Sequence, residues 1–421
     1  MTTFQTLWQS ILNFIFYYPL FMSYLWMMGA LVFCFKERQE PAYDHPASLD
    51  EYPLVAVLVP CFNEGENAEE TIAQALNLQY PHFEVIAIND GSSDNTGEVL
   101  NGLAKKYAHL RVVHLAENQG KAMALQAGSL VTEAEFLLGI DGDALLDPHA
   151  AQWMIRHFQS HSNIAAVTGN PRIRNRSTLL GRVQVGEFSS IIGMIKRAQR
   201  TFGRIFTVSG AVTMFRKTAV HDVGYWSPDM LTEDIDISWK LQRAGWDIEF
   251  EPNALVWVLM PETYTGLWKQ RLRWAMGGAQ VLLKNFDVLF QPKLNYLWPL
   301  VLELILTLVW SYLMLALCVM WLLHLILPFV GFPNISSPFL PYGTGIFIGA
   351  TCLFQFAISM WMDSRYEKGL AKNYFWMIWY PFVFWIITVS GTIAALPKVL
   401  SRNDGKRARW VSPDRGIRHD S

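Results

Sequence analysis

The 421-residue chain has only four cysteines, and no two of them stand at a metal-ligand or redox spacing. Cys34, Cys318 and Cys352 sit in apolar runs and Cys61 ends an expected strand, so all four read as small buried hydrophobes. Net charge is also lacking. With 34 Lys+Arg against 36 Asp+Glu, nothing points to a nucleic-acid partner. Charge is missing locally as well. Residues 1–35 contain no Asp, Glu, Lys, Arg or His, and residues 296–362 contain one Asp, Glu, Lys or Arg, Glu303. A uniform soluble globule does not segregate charge in this way. Disorder is excluded too, because 52% of residues are hydrophobic and 14% aromatic. What remains is a polar domain set between membrane segments.

A span needs about 20 apolar residues. Residues 11–35 qualify, and Lys36 and Arg38 follow at once. With no basic start and no small-residue cleavage site, this segment reads as a retained span rather than a secretory signal. Residues 297–330, 342–362 and 374–397 are three further candidates, the last two separated by the charged DSRYEKGLAK. The positive-inside tendency puts Lys36, Arg38 and the polar domain in the cytoplasm. Counting three more spans puts the basic tail 398–421 outside, whereas its own charge favours the inside. Pro381, in the middle of 374–397, marks that segment as the one expected to be broken or re-entrant. The expected organisation is a first span within 1–35, a polar domain over 50–262, an amphipathic interfacial helix over 263–290, an apolar region over 296–397 and the tail.

Within the polar domain, 54–60, 83–89, 111–115, 135–140 and 164–168 read as strands. Helical patterns near 66–78, 95–107, 119–131 and 148–160 lie between them. This alternation predicts an α/β fold with a parallel sheet, whose ligands bind beyond the carboxyl ends of the strands. Three strand ends are polar: Asn63-Glu64, Asp90 within NDGSSDNT, and Asp141-Gly142-Asp143. Each could be an ordinary turn. Together on one rim they place carboxylates where a divalent cation can bridge them to phosphate oxygens, since Mg²⁺ takes one or two carboxylates plus substrate phosphates. Lys121 opens a helix whose N-terminus suits an anion, or it is a solvated surface lysine. Glu233, Asp234 and Asp236 follow Thr232 in a first helical turn, where they suit the helix dipole. One of them is a candidate general base. Over 262–285, Trp268, Leu272, Ala275 and Met276 are expected on one face and Lys269, Arg271 and Arg273 on the other. Gln270-Arg271-Leu272-Arg273-Trp274 offers fork donors for phosphate and a ring for sugar.

Asp90, Asp141-Gly142-Asp143, Thr232-Glu233-Asp234 and the Gln-x-x-Arg-Trp pattern at 270–274 occur in the order found in processive family 2 glycosyltransferases. Longer stretches, among them VPCFNE, AINDGSSDNT, NQGKAMALQAG, VTGNPRIRNRSTL, TVSGAVTMFRK and RARWVSPDRG, resemble the bacterial members that make poly-β-1,6-N-acetylglucosamine. The resemblance implies a GT-A type nucleotide-diphospho-sugar transferase domain between transmembrane helices, in the bacterial inner membrane. It implies UDP-N-acetylglucosamine as donor, a growing glycan as acceptor, and Mg²⁺ or Mn²⁺ as cofactor. Asp90 would hold uridine, and Asp143 the cation, with Asp141 near the donor sugar or metal. Asp234 would be the base. Gln270, Arg271, Arg273 and Trp274 would close over diphosphate and acceptor. The resemblance also implies a small membrane partner and control by cyclic di-GMP. The basic clusters 171–176 and 196–200 could serve that dinucleotide, but the default for them is solvated or headgroup-facing charge. Trp298, Trp310 and Trp321 are candidates for stacking on exported sugar or, more simply, for packing. A sibling synthase making a chitin- or hyaluronan-type chain is the alternative.

Overall fold

The computed structural model describes residues 3–327, 344–402 and 407–409. Eight strands form one sheet: β1 (Val55–Cys61), β2 (Phe83–Asp90), β3 (Leu110–Leu115), β4 (Phe136–Ile140), β5 (Leu145–Leu146), β6 (Ile164–Ile173), β7 (Val212–Arg216) and β8 (Asp247–Val258). Their order is β3-β2-β1-β4-β7-β6-β8-β5. β1 is apolar throughout because both of its faces are covered. Val55, Val57 and Val59 enter one core layer, and Ala56 and Leu58 the other. Beside it β2, β3 and β4 run parallel, as expected. The sheet is mixed, however, and not wholly parallel. β7 lies antiparallel between β4 and β6, and β8 then pairs parallel with β6.

The helices around the sheet are α2 (Ala68–Leu76), α3 (Thr96–Lys106), α4 (Lys121–Leu130), α5 (Ala150–Ser160), α6 (Leu179–Phe188), α7 (Ile195–Phe202), α8 (Lys217–Asp222), α9 (Glu233–Arg243) and α10 (Tyr264–Lys284). A π-helical stretch, Ser189–Met194, joins α6 to α7. The amphipathic helix is α10, and Thr263 caps it by accepting from the Gly266 N–H. α1 (Thr3–Glu37) precedes the domain; α11 (Trp298–Ile326), α12 (Thr344–Asp363) and α13 (Trp385–Leu400) follow it.

Among the described residues, three helical segments are long and apolar enough to cross a bilayer: Gln5–Glu37, Pro292–Ile326 and Gly345–Asp363. The parts of the expected spans at 328–330 and 342–343 lie outside the described residues. The segment expected at 374–397 is broken at the anticipated place. A 3₁₀ helix over Leu370–Trp379 and a π turn over Tyr380–Phe384, which contains Pro381, precede the short α13. Residues 407–409 of the tail pack against the polar domain. The Ala408 N–H donates to the Pro228 carbonyl at 2.8 Å, and Arg407 contacts Gln119.

The basic clusters are not solvated as expected. Arg172, Lys196 and Arg197 are buried. Arg197 forks onto Glu37 at 2.6 and 3.0 Å and reaches Asp363 at 3.0 Å. Arg172 meets Asp363 and Glu367, and Arg176 meets Glu367. Arg200 pairs with Glu249. Three arginines thus face three carboxylates where the ends of α1 and α12 rest on the polar domain. Trp310 is a packing residue, donating to the Ile15 carbonyl at 2.9 Å and holding α11 to α1. Trp298 donates to the Val288 carbonyl at 3.0 Å.

Candidate active site

Because β1, β2 and β4 are parallel neighbours, their carboxyl ends share one rim. Asn63 takes a left-handed conformation there, with φ 54°. Its N–H donates to Ser92 Oγ at 3.0 Å, and its Oδ1 accepts from the Ser93 N–H at 2.9 Å. The Glu64 N–H donates to Thr96 Oγ1 at 2.8 Å, and its buried carboxylate accepts from Asn67. These two residues brace the loop after β1 against the loop after β2.

Asp90, only 1% exposed, accepts from the backbone N–H groups of Gln119 and Gly120 at 2.7 and 2.9 Å. Burial pushes its carboxyl pKa upward against those two donors. Asp90 therefore ties β2 to the turn that opens α4. Gly142, between Asp141 and Asp143, packs on the end of β1: a Cβ there would stand 2.9 Å from the Pro60 carbonyl oxygen.

The carboxylates are not relieved of crowding by an ion alone, as the sequence suggested. A lysine lies among them. Lys121 Nζ pairs with Asp141, reaches Glu233 Oε1 at 3.4 Å and donates to the Gly210 carbonyl at 3.0 Å. Burial opposes its charge, but Asp141 and Glu233 hold its ammonium well above the usual range. Of the two readings of Lys121, the solvated one is excluded.

Among the described residues no three His, Cys, Asp or Glu side chains converge as a ready-made metal cage. Asp141 and the buried Asp143 are two carboxylates with one residue between them, just after β4. That set fits a hard cation whose remaining ligands are phosphate oxygens and water.

Asp234 sits in the first turn of α9. Its Oδ2 accepts from the Gly210 N–H at 3.1 Å, so Gly210 bridges Asp234 and Lys121. A Cβ at Gly210 would lie 3.1 Å from that carboxylate and 3.2 Å from Lys121 Nζ. Burial, then the adjacent Glu233 charge, raise the Asp234 pKa to about 6, against the pull of Lys121 and Arg273. A pocket lined by Ser209, Gly210, Thr213, Trp226, Glu233 and Asp234 opens at this point. Gly210 was missed as a functional residue. Its only sequence signal is a Ser-Gly step ahead of the short strand β7.

Helix α10 brings the last group. Arg273 is exposed, 3.4 Å from the Leu231 carbonyl just before the Asp234 turn. Trp274 is half-buried, with its ring beside Phe188. The Gln270 amide faces Met260 Sδ at 3.8 Å. Arg271 departs from expectation. It is buried against Glu187 and does not offer a fork to phosphate. Helical spacing placed it on the polar face of α10, but α6 covers that position.

Residues 53–277 match the family model described as glycosyltransferase like family 2. A poly-beta-1,6-N-acetyl-D-glucosamine synthase of Staphylococcus epidermidis is 40% identical over 416 residues, covering 96% of this chain and 98% of the relative. The protein of the same name from Staphylococcus aureus strain COL is 41% identical over 415 residues, with the same coverage. In fold the chain is similar to a mannosyltransferase from Pyrobaculum calidifontis solved with GDP-Man and Mn²⁺. The TM-score is 0.58 at 18% identity, covering 92% of this chain and 99% of that one. The α/β domain is thus of the GT-A type expected, and the chain belongs to the family 2 glycosyltransferases, in the group of the poly-β-1,6-N-acetyl-D-glucosamine synthases.

Proposed function

We propose that the chain is a processive, inverting N-acetylglucosaminyltransferase of a bacterial inner membrane. It takes sugar from UDP-N-acetylglucosamine on the cytoplasmic side and extends a β-1,6-linked poly-N-acetylglucosamine exopolysaccharide of the biofilm matrix. The observation that carries this reading is Asp234. It is a carboxylate with a pKa raised to about 6, held by the Gly210 N–H, beside Lys121 and above the Asp141-Gly142-Asp143 rim. A base poised near neutral pH suits removal of a hydroxyl proton.

In the transfer, the C6 oxygen of the chain end bonds to the anomeric carbon of the donor. The bond from that carbon to the diphosphate breaks on the opposite side, the hydroxyl proton passes to Asp234, and UDP leaves. A divalent cation, Mg²⁺ or Mn²⁺, held by Asp143 and Asp141 would neutralise charge on the leaving diphosphate. Asp90 keeps the turn at Gln119 and Gly120 in shape for the uridine. Arg273 faces the diphosphate as an exposed guanidinium, and Trp274 offers its ring to the acceptor sugar. The names of the relatives support the choice of sugar and linkage. A small membrane partner and control by cyclic di-GMP belong to the same reading, and neither is assigned to residues.

The test is incubation of membranes containing the protein with radiolabelled UDP-N-acetylglucosamine and Mg²⁺, then digestion by linkage-specific hydrolases. A labelled polymer cut by a β-1,6-specific enzyme is expected. A polymer cut only by chitinase or hyaluronidase would assign the chain to a sibling synthase.

A further inference from the structure

Arg271 lies inside the Gln-x-x-Arg-Trp stretch, yet the transfer does not use it. Its guanidinium is 5% exposed and donates through Nη2 to Glu187 Oε2. Glu187, 2% exposed, accepts on its other oxygen from the Tyr380 hydroxyl at 3.2 Å. The same guanidinium lies over Trp274, 4.4 Å from the ring centroid. Arg271 and Trp274 are three residues apart on α10, the spacing at which helical side chains meet.

Three otherwise separate parts converge here. Glu187 lies in the last turn of α6, next to Phe188 and just before the π-helical stretch. Arg271 and Trp274 belong to α10. Tyr380 begins the π turn that breaks the last apolar segment. Their backbones are packed closely. A Cβ at Gly186 would stand 2.1 Å from Met377 Sδ, and one at Gly391 of α13 would touch the Arg271 backbone at 3.7 Å.

A buried ion pair is a poor source of stability, since desolvation of both charges offsets their attraction. This one also leaves Arg271 Nη1 buried without a hydrogen-bond partner. An apolar pair of similar volume would cover the same surface at lower cost. What the charged set supplies instead is direction. Glu187 fixes the plane of the guanidinium, Tyr380 fixes Glu187, and the guanidinium covers one part of the indole so that the ring is held in one orientation.

We propose that Glu187 and Tyr380 are positioning residues that act through Arg271 to hold the Trp274 ring as the platform for the terminal acceptor sugar. This rests on the reading of Trp274 given above. Tyr380 connects that platform to the broken membrane segment, so retention of the chain end between additions depends on where that segment sits. The chemical step itself, at Asp234, does not.

The test uses the purified full-length protein with UDP-N-acetylglucosamine and Mg²⁺, and compares Tyr380→Phe, Glu187→Gln and Trp274→Ala. Donor KM and product length at equal donor consumption are measured. Losing one ordinary hydrogen bond corresponds to a factor of roughly 2 to 12. Tyr380→Phe is expected to shorten the product by about that factor, and Glu187→Gln, which leaves the buried guanidinium without its counter-charge, by at least as much, with donor KM unchanged. Tyr380→Phe combined with Trp274→Ala is expected to be no shorter than Trp274→Ala alone. Tyr380→Phe removes a single hydroxyl, so it carries the test if the Glu187 variant does not fold. Wild-type length in Tyr380→Phe beside short product in Trp274→Ala overturns the positioning inference, as does shortening that adds fully to that of Trp274→Ala. Wild-type length in Trp274→Ala overturns the platform reading itself.

Discussion

Below about pH 6 Asp234 holds its proton, and a protonated carboxyl cannot accept another from the acceptor hydroxyl. The sign follows from the cause. Burial and Glu233 favour the neutral form, so the base is lost at a higher pH than an ordinary aspartate would be. The rate of sugar transfer at low donor concentration should fall about tenfold per unit below pH 6. A profile flat down to pH 4.5 would remove Asp234 from the proton transfer. Asp143→Ala should weaken metal-dependent donor binding, read by calorimetry with UDP and Mg²⁺. Binding that is unchanged and still metal-dependent would place the ion elsewhere. The positions of Asp90, Asp141, Asp143 and Asp234, at the ends of apolar strands or in a first helical turn, were legible in the sequence because the apolar runs and the start of the helix mark them. Lys121 was half legible: its place at a helix start was evident, its pairing with Asp141 and Glu233 was not. Arg271 was misread because helix periodicity sees only its own helix, while its partner Glu187 lies 84 residues away.

Elements with one uninterrupted apolar signal were readable, and those with a broken signal were not. β1 and β4 are near-continuous apolar runs and were placed within a residue or so. β8 escaped because Glu249, Glu251, Pro252 and Asn253 interrupt it. Those residues are accommodated by a register shift against β6 and by His157, which meets Glu251 at 2.8 Å. β7 is only five residues long. The basic clusters were misjudged for a related reason: sequence displays the arginines but not the carboxylates of α1 and α12 that meet them. That burial gives a contrast that thermal unfolding in detergent can measure. Arg197→Met leaves Glu37 buried without its cationic partner, while Asp363 keeps Arg172, and should cost about 3–5 kcal/mol. Arg200→Met breaks a more exposed pair with Glu249 and should cost no more than about 1 kcal/mol. Equal effects would mean that the Glu37–Arg197–Asp363 network does not hold the membrane helices to the domain.

Across the whole molecule, three helices long enough to span a bilayer meet the catalytic domain at one end, and the chain after α12 returns to the side of that domain. A polar domain between long apolar helices was evident from charge segregation alone, and the break in the last apolar segment was marked only by Pro381. Under the proposed function, the synthase takes its donor on one face while its product is needed on the other. Sealed vesicles with the catalytic domain outward, given UDP-N-acetylglucosamine, should therefore accumulate polymer protected from added hydrolase. Polymer that stays fully digestible would separate synthesis from export. The central claim, that Asp234 is the base of a sugar transfer, meets its most direct test in Asp234→Asn. With purified protein, labelled UDP-N-acetylglucosamine and Mg²⁺, donor binding should match wild type while polymer formation drops by about 10²–10⁴-fold. Polymer made at near wild-type rate by this variant would contradict it.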